Sequence, residues 1–567
     1  MPDLERTEIT VAVKPLFHRN YTCSSPDKGS SPIQASRSHH AFSSEESTTT
    51  APTPSESHRA ITDTVLSHAH VFYVGLVPAN VPAPEHPDEG YFTHTPTLLP
   101  DPLFELPLNR TEESIQVLAQ SRHSGWNSLW WDFIADPQLS GFDICVSANK
   151  RHQHKLEKSP TQIWRSTLSV HVIGTKLKPV PLVNIQWFHP DSLASYYGVD
   201  VWSEEHWKII YAHMESCARM RINTLLTPVW TPPLDTAEGT YRRTVQLVDI
   251  TENNGLYRFD FSRLDRWIDL MCTAGINNVE VPPLFTQWGA RFCPHFIIND
   301  STGTPRERFG WDTPATSAEY GEFLQQFIPA LRQHLNDTVG ENHVWYHISD
   351  EPQPENIKSY KAAKDFVHKL LDGAQILDAL GEPDFLDLVS TPVVATDAIP
   401  RFRSRGVNPD FVYYCVSQNL GVSNRFLAQY PVRTRALGLQ LYCGNAKGFL
   451  HWAFNFYNTQ YSLGTTDPYR DTSAGGGFIS GDSFVVYPDV KGRVVESLRH
   501  RILRAAFDDF SCCCIAEKLT DRDTVMRIID PNHDLDYNAG WMSEPELLRR
   551  RELLNQLIEE HLPTRLL

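Results

Sequence analysis

Residues 1–180 hold short apolar runs broken by Pro and Gly, whereas from residue 184 onward strand-like runs alternate with stretches whose apolar residues recur at helical spacing. In the first stretch, residues 7–13 (TEITVAV), 71–77 (VFYVGLV), 128–133, 141–146 and 167–173 read as strands. Strands this short, with turn residues between them, predict an antiparallel β-sandwich. Between 21 and 62, Ser, Thr, Pro and His displace nearly all apolar residues, so that segment cannot bury enough surface to offset its ordering entropy and predicts a flexible insertion.

In the second stretch, strands are expected at 184–188, 224–230, 277–281, 344–348, 385–389, 411–416 and 448–456. Helices are expected at 204–220, 261–274, 317–335, 355–371 and 497–510. Ser203 stands in capping position before the first of these, and Gly275 follows the second where a left-handed C-cap is needed. Strand and helix alternating over this distance predict an α/β fold with a TIM-like (β/α)8 barrel at 181–510. The antiparallel β-sandwich domain precedes it at 1–180, and a strand and helical extension follows at 511–567.

Composition narrows the partners. A chain of 567 residues exceeds one ordinary core, consistent with several domains. The formal charge of −17 and the lack of a long basic run exclude nucleic acid and an anionic membrane surface as partners. Neither a P-loop nor a GxGxxG after a strand is present, which removes the usual nucleotide sites. The ten cysteines include no zinc-type CxxC pair, and Cys512, Cys513 and Cys514 are consecutive, so they read as reduced thiols rather than a disulfide framework. The opening MPDLERTEIT has no basic or apolar leader, and no apolar run is long enough to span a bilayer; the expectation is a cytoplasmic protein.

The candidate chemistry lies in VWYHISDEPQP, residues 344–354. An apolar strand breaks abruptly into Ser349, Asp350, Glu351 and Pro352, with a helix behind. Ser and Asp before a Pro-containing turn are also good capping residues, so helix initiation alone is one reading of the pair. The other is catalytic, because in a β/α barrel the C-terminal strand ends gather the reacting groups. The neighbouring strand ends add Trp187, His189 and Asp191, then Gln287 and Trp288, then His347, Tyr413 and Tyr414, and finally Trp452 and Asn455. Singly, each is as readily a packing or hydrogen-bonded core residue. Gathered at one barrel face, polar groups that exchange hydrogen bonds with hydroxyls and aromatic faces that stack on a ring suit a sugar.

QWFHPDSLASYY (186–197), TPPLDT (231–236), RRTVQLVDI (242–250), LFTQWGA (284–290), FGWDTPATSAEY (309–320), HISDEP, GFLHWAFNFYN and GDSFVVYPD (481–489) together resemble glycoside hydrolase family 123. The resemblance implies a β-sandwich before a TIM barrel and a β-N-acetylgalactosaminidase-like activity on a glycoside or oligosaccharide. It also implies a retaining, substrate-assisted mechanism in which the substrate's acetamido oxygen is the nucleophile. Asp350 would then polarise the acetamido group and Glu351 act as general acid and base, with Trp187, His189, Asp191, Gln287, Trp288, His347, Tyr414, Trp452 and Asn455 binding the sugar. No metal or organic cofactor is required. Two other readings stay open: a glycosidase for a sugar lacking the acetamido group, with Glu280 or Asp235 as nucleophile, and a non-catalytic carbohydrate-binding protein on a hydrolase fold.

Overall fold

The alternation in the second half of the chain closes into a barrel. A computed structural model describes residues 7–16, 69–110, 115–120, 128–133, 141–152 and 161–563, so the predicted insertion at 21–62 lies outside the described residues. The barrel strands are β1 (Val183–Gln186), β2 (Thr224–Leu226), β3 (Asn278–Glu280), β4 (Val344–Tyr346), β5 (Gln375–Leu380), β6 (Thr391–Ala395), β7 (Phe411–Tyr413) and β8 (Gly448–His451). Each is hydrogen-bonded in parallel to the next, and β8 returns to β1 with Phe449 beside Asn184. Parallel strands covered on both faces are buried on both, so no strict alternation of apolar and polar residues marks them, and the polar Asn184, Gln186, Glu280 and Asp378 within them are themselves buried. Gly448 opens β8 opposite Phe411, and a Cβ there would lie 2.1 Å from the Phe411 ring.

The covering helices begin and end where their caps dictate. Ser203 accepts from the His206 amide ahead of Glu204–Arg219, and Gly275, at φ 92°, closes Ser262–Ala274. Ser317 and Ser497 likewise cap Ala318–Thr338 and Leu498–Leu519. Leu498–Leu519 runs well beyond residue 510, through the predicted start of the C-terminal extension, and is followed by the helices Arg522–Ile529 and Glu544–His561.

The expected strand at 385–389 is absent. Phe385 and Val389 are buried one helical turn apart, and the Val389 amide donates to the Phe385 carbonyl. The strands on either side, β5 and β6, lack the predicted signature because Asp378 interrupts one and Pro392 stands second in the other. A short helix, Pro190–Tyr197, and a four-stranded sheet made of Asp249–Asn253, Leu256–Asp260, His295–Asn299 and Pro305–Phe309 lie where no element is expected.

The chain divides into two compact units, Met1–Val74 with Glu105–Lys176, and Gly75–Phe104 with Leu177–Leu567. In the first, Thr7–Leu16 pairs antiparallel with both Ile115–Gln120 and Gly141–His152, and Leu108–Arg110 and Thr161–His171 form the edges. Ala69, Val71, Ile115 and Val117 are its buried centre, flanked by Leu106, Leu108, Trp131 and Phe133. In the second, Gly75–Phe104 joins the barrel through Asp101, which accepts from Arg499 Nη2 at 2.8 Å and from the Tyr487 hydroxyl at 2.6 Å.

Candidate active site

The C-terminal ends of the barrel strands open into a cavity of about 320 Å³. Its polar wall is formed by Asp350 and Glu351 after β4, Gln287 after β3, Asp235 and Arg242 after β2, and Tyr413, Cys415 and Ser417 at and beyond the end of β7. Its aromatic wall combines Trp187 after β1 with Trp452, Phe478 and Tyr461 after β8, and Trp288.

The helix-capping reading of Asp350 and Glu351 fails on geometry. The turn that starts the following helix is closed by the Gln353 amide, which donates to Asn356 Oδ1 at 3.2 Å. Asp350 Oδ2 instead accepts from Gln287 Nε2 at 2.7 Å, and its carbonyl accepts from the Trp288 amide at 3.0 Å. Glu351 turns out of the strand with φ 43°, a left-handed backbone that a glutamate adopts only under constraint. That turn sends its side chain to the other side of the cavity, where Oε1 accepts from the Tyr413 hydroxyl at 2.7 Å and from Cys415 Sγ at 3.7 Å. Two successive carboxyls thus face one cavity with separate sets of donors.

Burial raises both carboxyls. Asp350 is pushed well above the usual range by burial and by the Glu351 charge, with His347 and Gln287 pulling the other way. Glu351 is raised by burial against the opposing hydrogen bonds from Tyr413 and Cys415. Two such neighbours resist ionising together, so they titrate as a pair.

Beneath the pair lies a second, closed network. His347 Nε2 meets Glu280 Oε1 at 2.5 Å and its Nδ1 meets Asp378 Oδ1 at 3.1 Å; Tyr360 donates to the other Asp378 oxygen. Burial alone would lower the His347 pKa, but the Asp378 and Glu280 carboxylates raise it to about 10. An imidazolium therefore sits under Asp350, and Glu280 Oε1 is shared between it and Trp187 Nε1, 3.0 Å away, while Glu280 Oε2 is buried with no hydrogen-bond partner.

Of the residues expected to bind sugar, Trp187, His189, Gln287, Trp288 and Trp452 line the cavity, and His347, Asp191, Asn455 and Tyr414 do not. His347 belongs to the layer below. Asp191 is buried against Arg242, whose Nη2 and Nε reach its two oxygens at 2.7 and 2.9 Å. Arg242 Nη2 also donates to His189 Nδ1 at 2.9 Å, while His189 Nε2 donates to the Trp452 carbonyl at 3.0 Å, so the ring is neutral. Burial and Arg242 lower its pKa to about 3. Asn455 clamps the His189 backbone, accepting from its amide at 2.9 Å and donating to its carbonyl at 3.1 Å. Tyr414 points away, packed on Phe449 and His451 with its hydroxyl unpartnered.

Cys415, Arg242 and Tyr461 are absent from the residues expected at the site, and Tyr413 is expected at its strand end but not among the sugar-binding set. For Tyr413 and Cys415 the available signal was parity: residues two apart on a strand share a face, and Tyr414 lies between them. Among the described residues, no group of three His, Cys, Asp or Glu side chains is placed to hold a metal ion, and no helix is long and apolar enough to cross a membrane. All nine cysteines among the described residues are free.

Residues 187–516 match the catalytic domain of glycoside hydrolase family 123. A solved family 123 glycoside hydrolase from Clostridium perfringens, described in a study of glycolipid glycan hydrolysis, superposes with a TM-score of 0.60 at 14% identity, covering 87% of this chain and 86% of that one. A Paenibacillus cycloisomaltooligosaccharide glucanotransferase (TM-score 0.23, 9% identity, 69% of this chain and 49% of that one) superposes too loosely to inform the site. The same holds for a Bifidobacterium dentium β-glucuronidase (TM-score 0.29, 8% identity, 77% and 60%). No protein of curated function matches the sequence. With more than half of its length in the family match, the chain belongs to glycoside hydrolase family 123.

Proposed function

We propose that the protein is a retaining exo-glycosidase that removes a terminal β-linked N-acetylhexosamine, N-acetylgalactosamine foremost, by substrate assistance. The observation that carries this reading is the adjacent pair Asp350 and Glu351, each with its own donors, opening into one cavity while Glu280 is locked below. In the first step the acetamido oxygen attacks the anomeric carbon as the bond to the leaving oxygen breaks, and the Glu351 proton passes to that oxygen. The acetamido N–H donates to Asp350, whose negative charge balances the oxazolinium ring as it forms. That same N–H stabilises ionised Asp350 and so moves the proton shared by the pair onto Glu351 before the reaction starts. Water then adds at the anomeric carbon, Glu351 takes its proton, and the acetamido group is restored.

The lining also argues for a neutral sugar. Among the described residues Arg242 is its only cationic side chain, and it is spent on Asp191, so a uronic or sialic acid carboxylate would enter a cavity already holding Asp235, Asp350 and Glu351.

A second reading keeps one supporting observation. Asp235 lines the same cavity, and burial, against the pull of Arg242, raises its pKa to about 6; it is the candidate nucleophile for a sugar without the acetamido group. Hydrolysis of p-nitrophenyl β-GalNAc, β-GlcNAc, β-galactoside and β-glucoside separates the two. Turnover of a 2-acetamido sugar is expected, inhibited by a thiazoline and reduced at least about a hundredfold in Glu351→Gln and Asp350→Asn. Turnover confined to the sugars lacking the acetamido group, and abolished in Asp235→Asn, would reject substrate assistance.

A further inference from the structure

GFLHWAFNFYN and GDSFVVYPD, two motifs far from Asp350 in sequence, meet behind the aromatic wall of the cavity. Asp482, from the second, has no exposed surface, and its Oδ2 accepts from Trp452 Nε1 at 2.8 Å. Trp452 follows β8 and lines the cavity, so one edge of its indole is turned to Asp482 while the ring forms part of the wall.

The carboxyl has little else to hold. Its Oδ1 has no hydrogen-bond partner, and His451 Nε2 stands 3.5 Å away. His451 offers no charge: its Nδ1 accepts from the Ala453 amide at 3.1 Å, and burial, with the Arg425 and Arg499 charges, holds its pKa well below the usual value. Arg425 is enclosed nearby but directs its hydrogen bonds to the carbonyls of Ala453 and Asp482 and to Gln186 Oε1. Those of Arg499 go to Asp101 and to main-chain carbonyls. Burial raises the Asp482 pKa to about 7, against the pull of Arg425, Trp452 and Arg499. Enclosing a carboxyl with one hydrogen bond is costly, and a position that served packing alone would take an apolar side chain at no such cost.

We propose that Asp482 is a positioning residue for the substrate: its bond to Nε1 fixes the Trp452 indole in the rotation that presents the ring face to the sugar. The backbone of Trp452 is held separately, its carbonyl accepting from His189 Nε2 at 3.0 Å. Phe456 and Phe478 meet the ring edge to face, with centroids 5.0 and 5.3 Å away, and fill the space around it. Nε1–H is the indole's only hydrogen-bonding group, so the directional hold on its rotation comes through Asp482. Both the neutral and the ionised carboxyl keep an oxygen that accepts from the indole, so the hold does not depend on the charge of Asp482. The proposal rests on the glycosidase reading above and extends it to a residue outside the cavity that acts through the wall.

The test follows KM and kcat on whichever of the four p-nitrophenyl glycosides wild type turns over. Asp482→Leu and Asp482→Ala, which have no acceptor, are expected to raise KM about tenfold with kcat within about twofold, the pattern of lost binding shared by ground state and transition state. Asp482→Asn keeps an acceptor for the indole N–H and should stay within about threefold of wild type in both constants. In Trp452→Phe, which has no N–H to hold, adding Asp482→Leu or Asp482→Ala should leave KM where the single variant put it. A KM that rises by the same factor in both backgrounds overturns the proposal and leaves the glycosidase reading intact. So does a kcat that falls at unchanged KM, because that marks a smaller folded fraction. Failure of both Asp482 variants to fold, beside a folded Trp452→Phe that lacks the same bond, also overturns it by showing a structural role. Wild type that hydrolyses none of the four glycosides rejects the glycosidase reading and the proposal with it.

Discussion

Tyr413 and Cys415 both donate to Oε1 of Glu351, which leaves Oε2 as the oxygen able to carry a transferable proton. The Tyr413 hydrogen bond favours the ionised carboxylate, so removing it raises the Glu351 pKa further. A general acid works only while protonated, and kcat/KM therefore falls as pH rises through its pKa. In Tyr413→Phe that alkaline limb should move upward by about one pH unit, the equivalent of one lost hydrogen bond. A limb that stays in place or moves down would mean that Glu351 is not the acid. The carboxyl pair was legible because an apolar strand ended abruptly in charge. The choice of Tyr414 over Tyr413 failed because strand parity depends on register with the neighbours, which one strand's sequence does not disclose.

At the scale of elements, β4 and β7 were readable as runs of apolar side chains, whereas β5 carries a buried carboxylate in its middle and β6 a proline at its second position. Asp378 is fully enclosed yet bonded to His347, the Ile348 amide and Tyr360, so the barrel accepts a charge where composition argues against a strand. Close packing also places limits that hydrophobicity does not reveal. Gly448 admits no side chain beside Phe411, and Gly448→Ala should cost about 1–3 kcal/mol of stability through overpacking. The check is the thermal midpoint of the single variant against Gly448→Ala combined with Phe411→Leu. Partial recovery in the double variant assigns the loss to this contact, and none assigns it to the backbone.

For the whole molecule, the division into two units does not follow the chain. A single break near residue 180 was the natural expectation, because Gly75–Phe104 reads as Pro-rich turns; it belongs with the barrel through buried partners that no local pattern exposes. Arg499 is enclosed there and bonded to Asp101. Asp101→Ala should destabilise the protein by about 3–5 kcal/mol, since it strands a buried guanidinium. Denaturant midpoints of Asp101→Ala and of the pair Asp101→Ala with Arg499→Leu measure this. The double variant should recover part of the loss, and a single variant as stable as wild type would show that the contact is dispensable.

The separation of Asp101 from Arg499 by 398 residues also bears on how the protein is made. At a translation rate of about 5–20 residues per second, Asp101 is synthesised roughly 20–80 s before Arg499. The Gly75–Phe104 segment must therefore wait, its apolar and acidic side chains unmatched, while its eventual partners are still being translated. Slower elongation lengthens that exposure, so the yield of native protein should depend on translation speed and on chaperones that shield the nascent chain.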